Sequence, residues 1–104
     1  MPERRSSQRK KVLLEAKWES MSRGHEARVD DVSLGGCFVN TYGHVELNEP
    51  VELQILLPSG DWLALRGKVA SYQPGVGFGM SFNLTYREKK AVENLIASAV
   101  ERSI

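Results

Sequence analysis

Six short segments of this chain alternate apolar and polar residues, and a longer final one repeats every three to four. That change of period constrains the fold more than any other feature. Val12, Leu14, Ala16 and Trp18 alternate with Leu13, Glu15, Lys17 and Glu19, the period of a strand with one buried face. SMSRG (20–24) has turn composition and leads into HEARVD (25–30), a second, more polar strand. A third strand is expected over CFVNTY (37–42), followed by a loop from Gly43 to Pro50. VELQILLP puts Val51, Leu53, Ile55 and Leu57 on one face, and PSGD (58–61) is a strong hairpin turn. WLALRGKVASY supplies a fifth strand, with Leu63, Leu65 and Val69 inward. GVGFGMSF supplies a sixth, with Val76, Phe78, Met80 and Phe82 on one face and Gly77, Gly79 and Ser81 on the other. Thr85 and Glu88 then have the spacing of a capping box, and Ala91, Val92, Leu95, Ile96, Ala99 and Val100 recur at helical spacing. Such a succession predicts an antiparallel barrel or sandwich with one amphipathic helix laid on an open end or side.

The 104 residues suit one domain, and a hydrophobic fraction of 41% is enough for a modest core. A net charge of +1 argues against a protein that coats nucleic acid. The charge is uneven, however. Glu3 to Lys11 holds Arg4, Arg5, Arg9, Lys10 and Lys11 against one acid, so the rest is acidic overall and the N-terminal stretch is a local anion-attracting arm. The lone Cys37 excludes an internal disulfide and fits a reducing compartment. No apolar run approaches the roughly 18 residues of a membrane span, and the basic start lacks the apolar run of a secretory signal. A soluble cytoplasmic protein is expected.

The stretch DVSLGG (31–36) holds more small polar residues than a plain connection needs. Arg5 and Arg9 are four apart. That even spacing puts both side chains on one side of an extended chain, about 13 Å apart, and on one side of a helix at about 5–6 Å. Guanidinium forks suit phosphate oxygens and the O6/N7 edge of guanine. Asp31 complements them by accepting from guanine N1–H and N2–H₂, Ser33 offers a hydroxyl to a phosphate or base edge, and Gly36 permits close approach of backbone to ligand. The alternate glycines of the sixth strand, Gly77 and Gly79, have two readings: a barrel corner needing curvature, or a flat platform for a planar ligand.

Arg5-Ser-Ser-Gln-Arg9 followed by Asp31-Val-Ser33-Leu-Gly35-Gly36 resembles the PilZ domain signature, RxxxR then [D/N]xSxxG. The resemblance spans essentially the whole chain, including the GFGMSF strand and the closing helix. It implies a six-stranded antiparallel β-barrel, all-β apart from its C-terminal helix, and a flexible arm over residues 1–11. The barrel and helix would occupy 12–104, with the helix at about 85–102. It also implies a bacterial receptor for the second messenger cyclic di-GMP. Arg5 and Arg9 take the arginine role, and Asp31, Ser33 and Gly36 that of the second motif, with Gly35, Gly77 and Gly79 beside them. Arg4 extends the first motif to RRxxxR, which in PilZ proteins is associated with an intercalated ligand dimer; two stacked ligands carry about four phosphate charges.

Mechanism is then expected to run through ordering. Fixing a backbone residue costs about 1–2 kcal/mol, whereas a micromolar ligand yields about −8 kcal/mol net. Closing the arm therefore absorbs much of the gross interaction and creates a surface for a separate, unidentified effector protein, in a process such as motility or biofilm regulation. Neither a cofactor nor a membrane partner is expected, nor an enzyme, since no nucleophile–base pair, metal cluster or phosphate loop emerges. Two other classes stand beside the receptor. One is a PilZ-like adaptor acting by protein contact without nucleotide. The other, a small barrel for single-stranded nucleic acid, ranks last, because the strands carry Glu15, Glu19, Glu26 and Glu52 rather than basic and aromatic platforms. Asp30 and Asp31 point opposite ways in a regular strand, and His25 and His44 read as surface residues. Trp18 and Cys37 read as core. Trp62 suits either rim or ligand wall, and Tyr42 and Tyr72 suit partner contact.

Overall fold

The computed structural model describes residues 10–20 and 24–102. Six strands, β1 (Lys10–Glu19), β2 (Gly24–Val32), β3 (Gly36–Asn40), β4 (Pro50–Leu56), β5 (Trp62–Gln73) and β6 (Gly77–Phe82), precede one helix, α1 (Tyr86–Arg102). The strands close into an antiparallel barrel in the order β1-β2-β3-β6-β5-β4. β1 and β4 complete the ring over Ala16–Glu19 and Glu52–Ile55, which leaves little open edge, and recognition falls mainly to the outer face and the loops.

Period-two burial is clearest in β4, where Val51, Leu53 and Ile55 are buried and Glu52 and Gln54 are exposed. In β1, Ala16 and Trp18 enter the core while Leu13 is 75% exposed. Trp18 anchors the interior. Its indole N–H donates to Thr41 Oγ1 at 3.0 Å, and that hydroxyl donates to the Glu26 carbonyl at 3.2 Å. The one polar atom of the largest core side chain is thereby satisfied. Phe78 meets the indole edge-on at 5.1 Å.

Three irregularities bend the barrel, at Lys11/Leu14 in β1, Val29/Asp31 in β2 and Val69/Ser71 in β5. Each inserts an extra residue and sharpens the local twist. The β2 bulge corrects the expectation that Asp30 and Asp31 point opposite ways. Val29 and Val32, three apart, are both fully buried, and both aspartates are half-buried between them. Strict alternation would have sent one carboxylate inward, at a cost far above that of a bulge.

Several boundaries move. β1 begins at Lys10, two residues before the expected barrel start, and β2 continues through Asp31 and Val32. β3 stops at Asn40; Thr41 turns its hydroxyl to Trp18, and Tyr42 is 92% exposed. Val76, expected inward beside Phe78, lies in the β5–β6 turn at 49% exposure, because the strand starts only at Gly77. The β3–β4 loop is tied by its own polar groups: Glu46 N–H donates to Glu49 Oε1 at 2.8 Å. That bond, ahead of one from the Ser20 hydroxyl, holds the Glu49 carboxyl below the usual carboxylate range.

The capping box forms as read. Glu88 N–H donates to Thr85 Oγ1 at 3.2 Å, and Thr85 N–H to Glu88 Oε1 at 2.9 Å. α1 packs against β1 and buries Val92 and Leu95 in the common core. Thr85→Ala should lower unfolding free energy by about 1 kcal/mol, measured by denaturant titration; an unchanged midpoint would contradict the cap. Gly36→Ala should be worse, since its Cβ would run into the Met80 carbonyl across the β3–β6 pair. We expect a loss of about 2 kcal/mol or more, read as an early thermal melt.

Candidate functional site at the DVSLGG turn

DVSLGG begins inside β2 and ends inside β3. Val32 is core, and Leu34 packs partly against it. Ser33, 4% exposed, closes the turn between them. Its N–H donates to the Gly36 carbonyl at 2.8 Å, its hydroxyl donates to the same oxygen at 3.3 Å, and the Gly35 N–H donates to the hydroxyl at 3.3 Å. The proton of Ser33 is thus already committed. To donate to a ligand phosphate it would have to release the Gly36 carbonyl, leaving one acceptor lone pair as its direct capacity.

The two glycines of the turn differ. Gly36 is buried opposite Ser81, where only a bare Cα fits. A Cβ on exposed Gly35 would meet nothing nearer than Ser33 Oγ at 3.9 Å. Packing therefore demands Gly36 and leaves Gly35 open to the surface. The Gly35 carbonyl accepts from Phe82 N–H at 2.9 Å, which ties the turn to the end of β6.

The β1–β2 register brings the first residues of β1 to this turn. Lys10 lies opposite Val32, and Lys11 opposite Asp31. Arg4, Arg5 and Arg9 lie outside the described residues.

Gly77 and Gly79 also separate. Gly77 has φ +155° and no room for a Cβ beneath the Val39 carbonyl, so its glycine answers to close packing of β6 on β3. Gly79 lies opposite Phe38 on β3 and Ser71 on β5, and its Cβ would face only the Ser71 hydroxyl, at 2.6 Å. Half-buried Phe38 and the small residues Gly79 and Ser81 thus share the outer surface beside the turn. The alternation of β3, β5 and β6 could have named Phe38 and Ser81, together with Arg66 and Lys68 on β5. What it lacked was the pairing of β3 with β6, strands separated by two others in sequence.

His25 is not the ordinary surface residue expected. Its ring stacks on Trp18 at 4.7 Å, and its Nε2 is buried without a hydrogen-bond partner among the described residues. Gly43 lies against both rings, with no space there for a side chain. His44 is exposed and bonds Glu46 at 2.7 Å, and its ring meets Tyr72 edge-on at 5.3 Å. Trp62, 44% exposed, carries the Lys17 ammonium 4.6 Å from its ring centroid. Cys37 is fully buried. No helix among the described residues is long and apolar enough to cross a membrane.

Comparison with solved structures places this architecture among known ones. The PilZ domain of CeSA from a cellulose-synthesizing bacterium aligns with TM-score 0.72 at 19% identity, covering 88% of this chain and 97% of that one. The PilZ domain of YcgR from Escherichia coli, solved with c-di-GMP, aligns with TM-score 0.78 at 13% identity, over 97% of this chain and 95% of that one. The Bacillus subtilis inhibitor of motility MotI/DgrA aligns with TM-score 0.75 at 16% identity; 98% of this chain corresponds to 52% of that longer one. A search of the curated proteins gave no significant match. These likenesses establish the fold. The sequence itself matches the PilZ domain family model over residues 3–98, from the arginine arm into the helix. The chain belongs to the PilZ domain family.

Proposed function

We propose that this protein is a cyclic di-GMP receptor of the bacterial cytoplasm, not an enzyme. In this reading the ligand draws the arginine arm against the DVSLGG turn, and the closed arm forms a surface read by an effector protein. The observation that carries it is the β1–β2 register, which roots the arm opposite Asp31 and Val32. From Lys10, Arg5 lies within a contour of about 17 Å and Arg4 within about 21 Å, so all three arginines can reach a ligand on the turn. Family membership and the c-di-GMP complex of the E. coli neighbour support the choice of ligand. The Bacillus neighbour, named for inhibition of motility, makes motility or biofilm control a fitting output.

Roles follow from chemistry. Arg5 and Arg9 take phosphate oxygens or the O6/N7 edge of guanine, and Asp31 accepts from the opposite edge. Ser33 acts chiefly through the turn it closes, Gly35 keeps the backbone approachable, Gly36 supports the turn by letting β3 lie close to β6, and Gly79 leaves the neighbouring surface flat for a base. Gly77 contributes by letting β6 lie close to β3. Arg4 adds a third fork for an intercalated ligand pair. Neither a membrane nor a nucleic acid polymer is required.

Titration calorimetry with cyclic di-GMP, alongside GTP and cyclic di-AMP, tests this reading. We expect saturable heat for cyclic di-GMP alone, a ratio near two per chain, and affinity reduced by about tenfold or more in Arg9→Ala. A ratio near one would remove the ligand pair and keep the receptor. No heat at high micromolar ligand would overturn the receptor reading and leave an adaptor working by protein contact.

A further inference from the structure

The outer face of β5 holds two cations that the arm-and-turn site does not use. Arg66 and Lys68, two apart on the strand, are both exposed. They line an open groove of about 670 Å³ whose other walls include Ser81, Phe82 and Asn48, with no carboxylate among its lining residues. Arg66 stands opposite Glu52 on β4, but among the described residues neither cation makes an ion pair. Lys68 stands opposite Pro50 on one side and Ser81 on the other.

The groove is continuous with the turn. Ser81 pairs with Gly36 on β3 and with Lys68 on β5, so one row crosses the outer surface from turn to cation. Two strand spacings make that about 10 Å from Gly36 to Lys68, and the residue between is Ser81. The next residue, Phe82, donates its N–H to the Gly35 carbonyl at 2.9 Å, so one segment backs both the turn and the groove wall. At the far rim Asn48 has φ 70°, a conformation uncommon outside glycine. It is held there by its N–H bond to the Val69 carbonyl at 2.8 Å.

We propose that Arg66 and Lys68 form a second anion contact of the same site, holding phosphate of a dinucleotide, or of its stacked partner, that extends from the turn across Ser81. The inference rests on the cyclic di-GMP reading. Arg66 supplies a planar fork and Lys68 a point charge on a mobile stem. A ligand gripped by the arm at the turn reaches Lys68 at the far end of the row, with Arg66 at the next outward position along β5. The arm then needs to neutralise only part of the phosphate charge of a stacked pair.

The test is calorimetric titration of cyclic di-GMP into the full chain and into Arg66→Gln/Lys68→Gln, Lys68→Gln and Lys68→Arg, with a thermal melt of each. We expect the double variant to bind about tenfold more weakly or worse, Lys68→Gln to fall between, and Lys68→Arg to retain most of the affinity. Should the double variant melt early, Ser81→Glu, which sets a carboxylate midway along the row, is expected to weaken binding in its place. Binding by the double variant, or by Ser81→Glu where that replaces it, within about twofold of the parent chain would overturn the second contact while leaving the receptor reading intact. If the parent chain itself fails to bind, the receptor reading falls, and this inference with it.

Discussion

Everything distinctive about this domain depends on the pairing of the first residues of β1 with the last residues of β2. Lys10 opposite Val32 and Lys11 opposite Asp31 join the only strongly basic stretch of the chain to its most ligand-like turn. Slipping the register by one residue would turn Val32 out of the core and Asp31 into it. The irregularities at Lys11/Leu14 and at Val29/Asp31 both lie just inside this junction, at the same level of β2. They let Val29 and Val32 both enter the core while Asp30 and Asp31 stay half-buried. The carboxylate proposed to meet guanine is thus where it is because two valines on either side are buried.

The same economy of polar groups runs through the interior. Ser33 spends its hydroxyl within its own turn, and Trp18 spends its N–H on Thr41. His25 Nε2 is the exception among the described side chains; with little open edge left by the barrel, ligand chemistry falls to the outer surface. There, Glu15 stands opposite Arg28 and Glu26 opposite Lys17 across β1 and β2, so those acids face cations, while Arg66 and Lys68 face outward on β5 beyond the small residues of β6. An anionic ligand rooted at the turn therefore finds favourable potential toward β5.

Much of this was legible in the sequence. Period-two alternation gave the inward residues of β1, β4 and β5, and the Thr85–Glu88 spacing gave the start of α1, because both signals are local. What failed was non-local or irregular. A bulge has no signature in alternation, so Asp30 and Asp31 were assigned to opposite faces. Val76 looked inward by parity, but the β5–β6 turn claims it. His25 looked solvated because nothing in its neighbourhood announces that Trp18 and Gly43 enclose it. Two glycines separated by one residue looked equivalent until the Val39 carbonyl above Gly77 set them apart. The site showed the same division. The motif residues were readable one by one, whereas Lys68 became visible only once β6 was seen to lie between β3 and β5.

The central claim is that ligand binding joins the arm to the DVSLGG turn, and amide hydrogen exchange with and without cyclic di-GMP tests it most directly. The account predicts slowed exchange in the bound state at residues 4–9 and at Leu34–Gly36 together, with the Trp18 end of the barrel unchanged. Saturating ligand that slows exchange at neither segment, or only at the Trp18–His25 end, would contradict it and place the ligand elsewhere on the barrel.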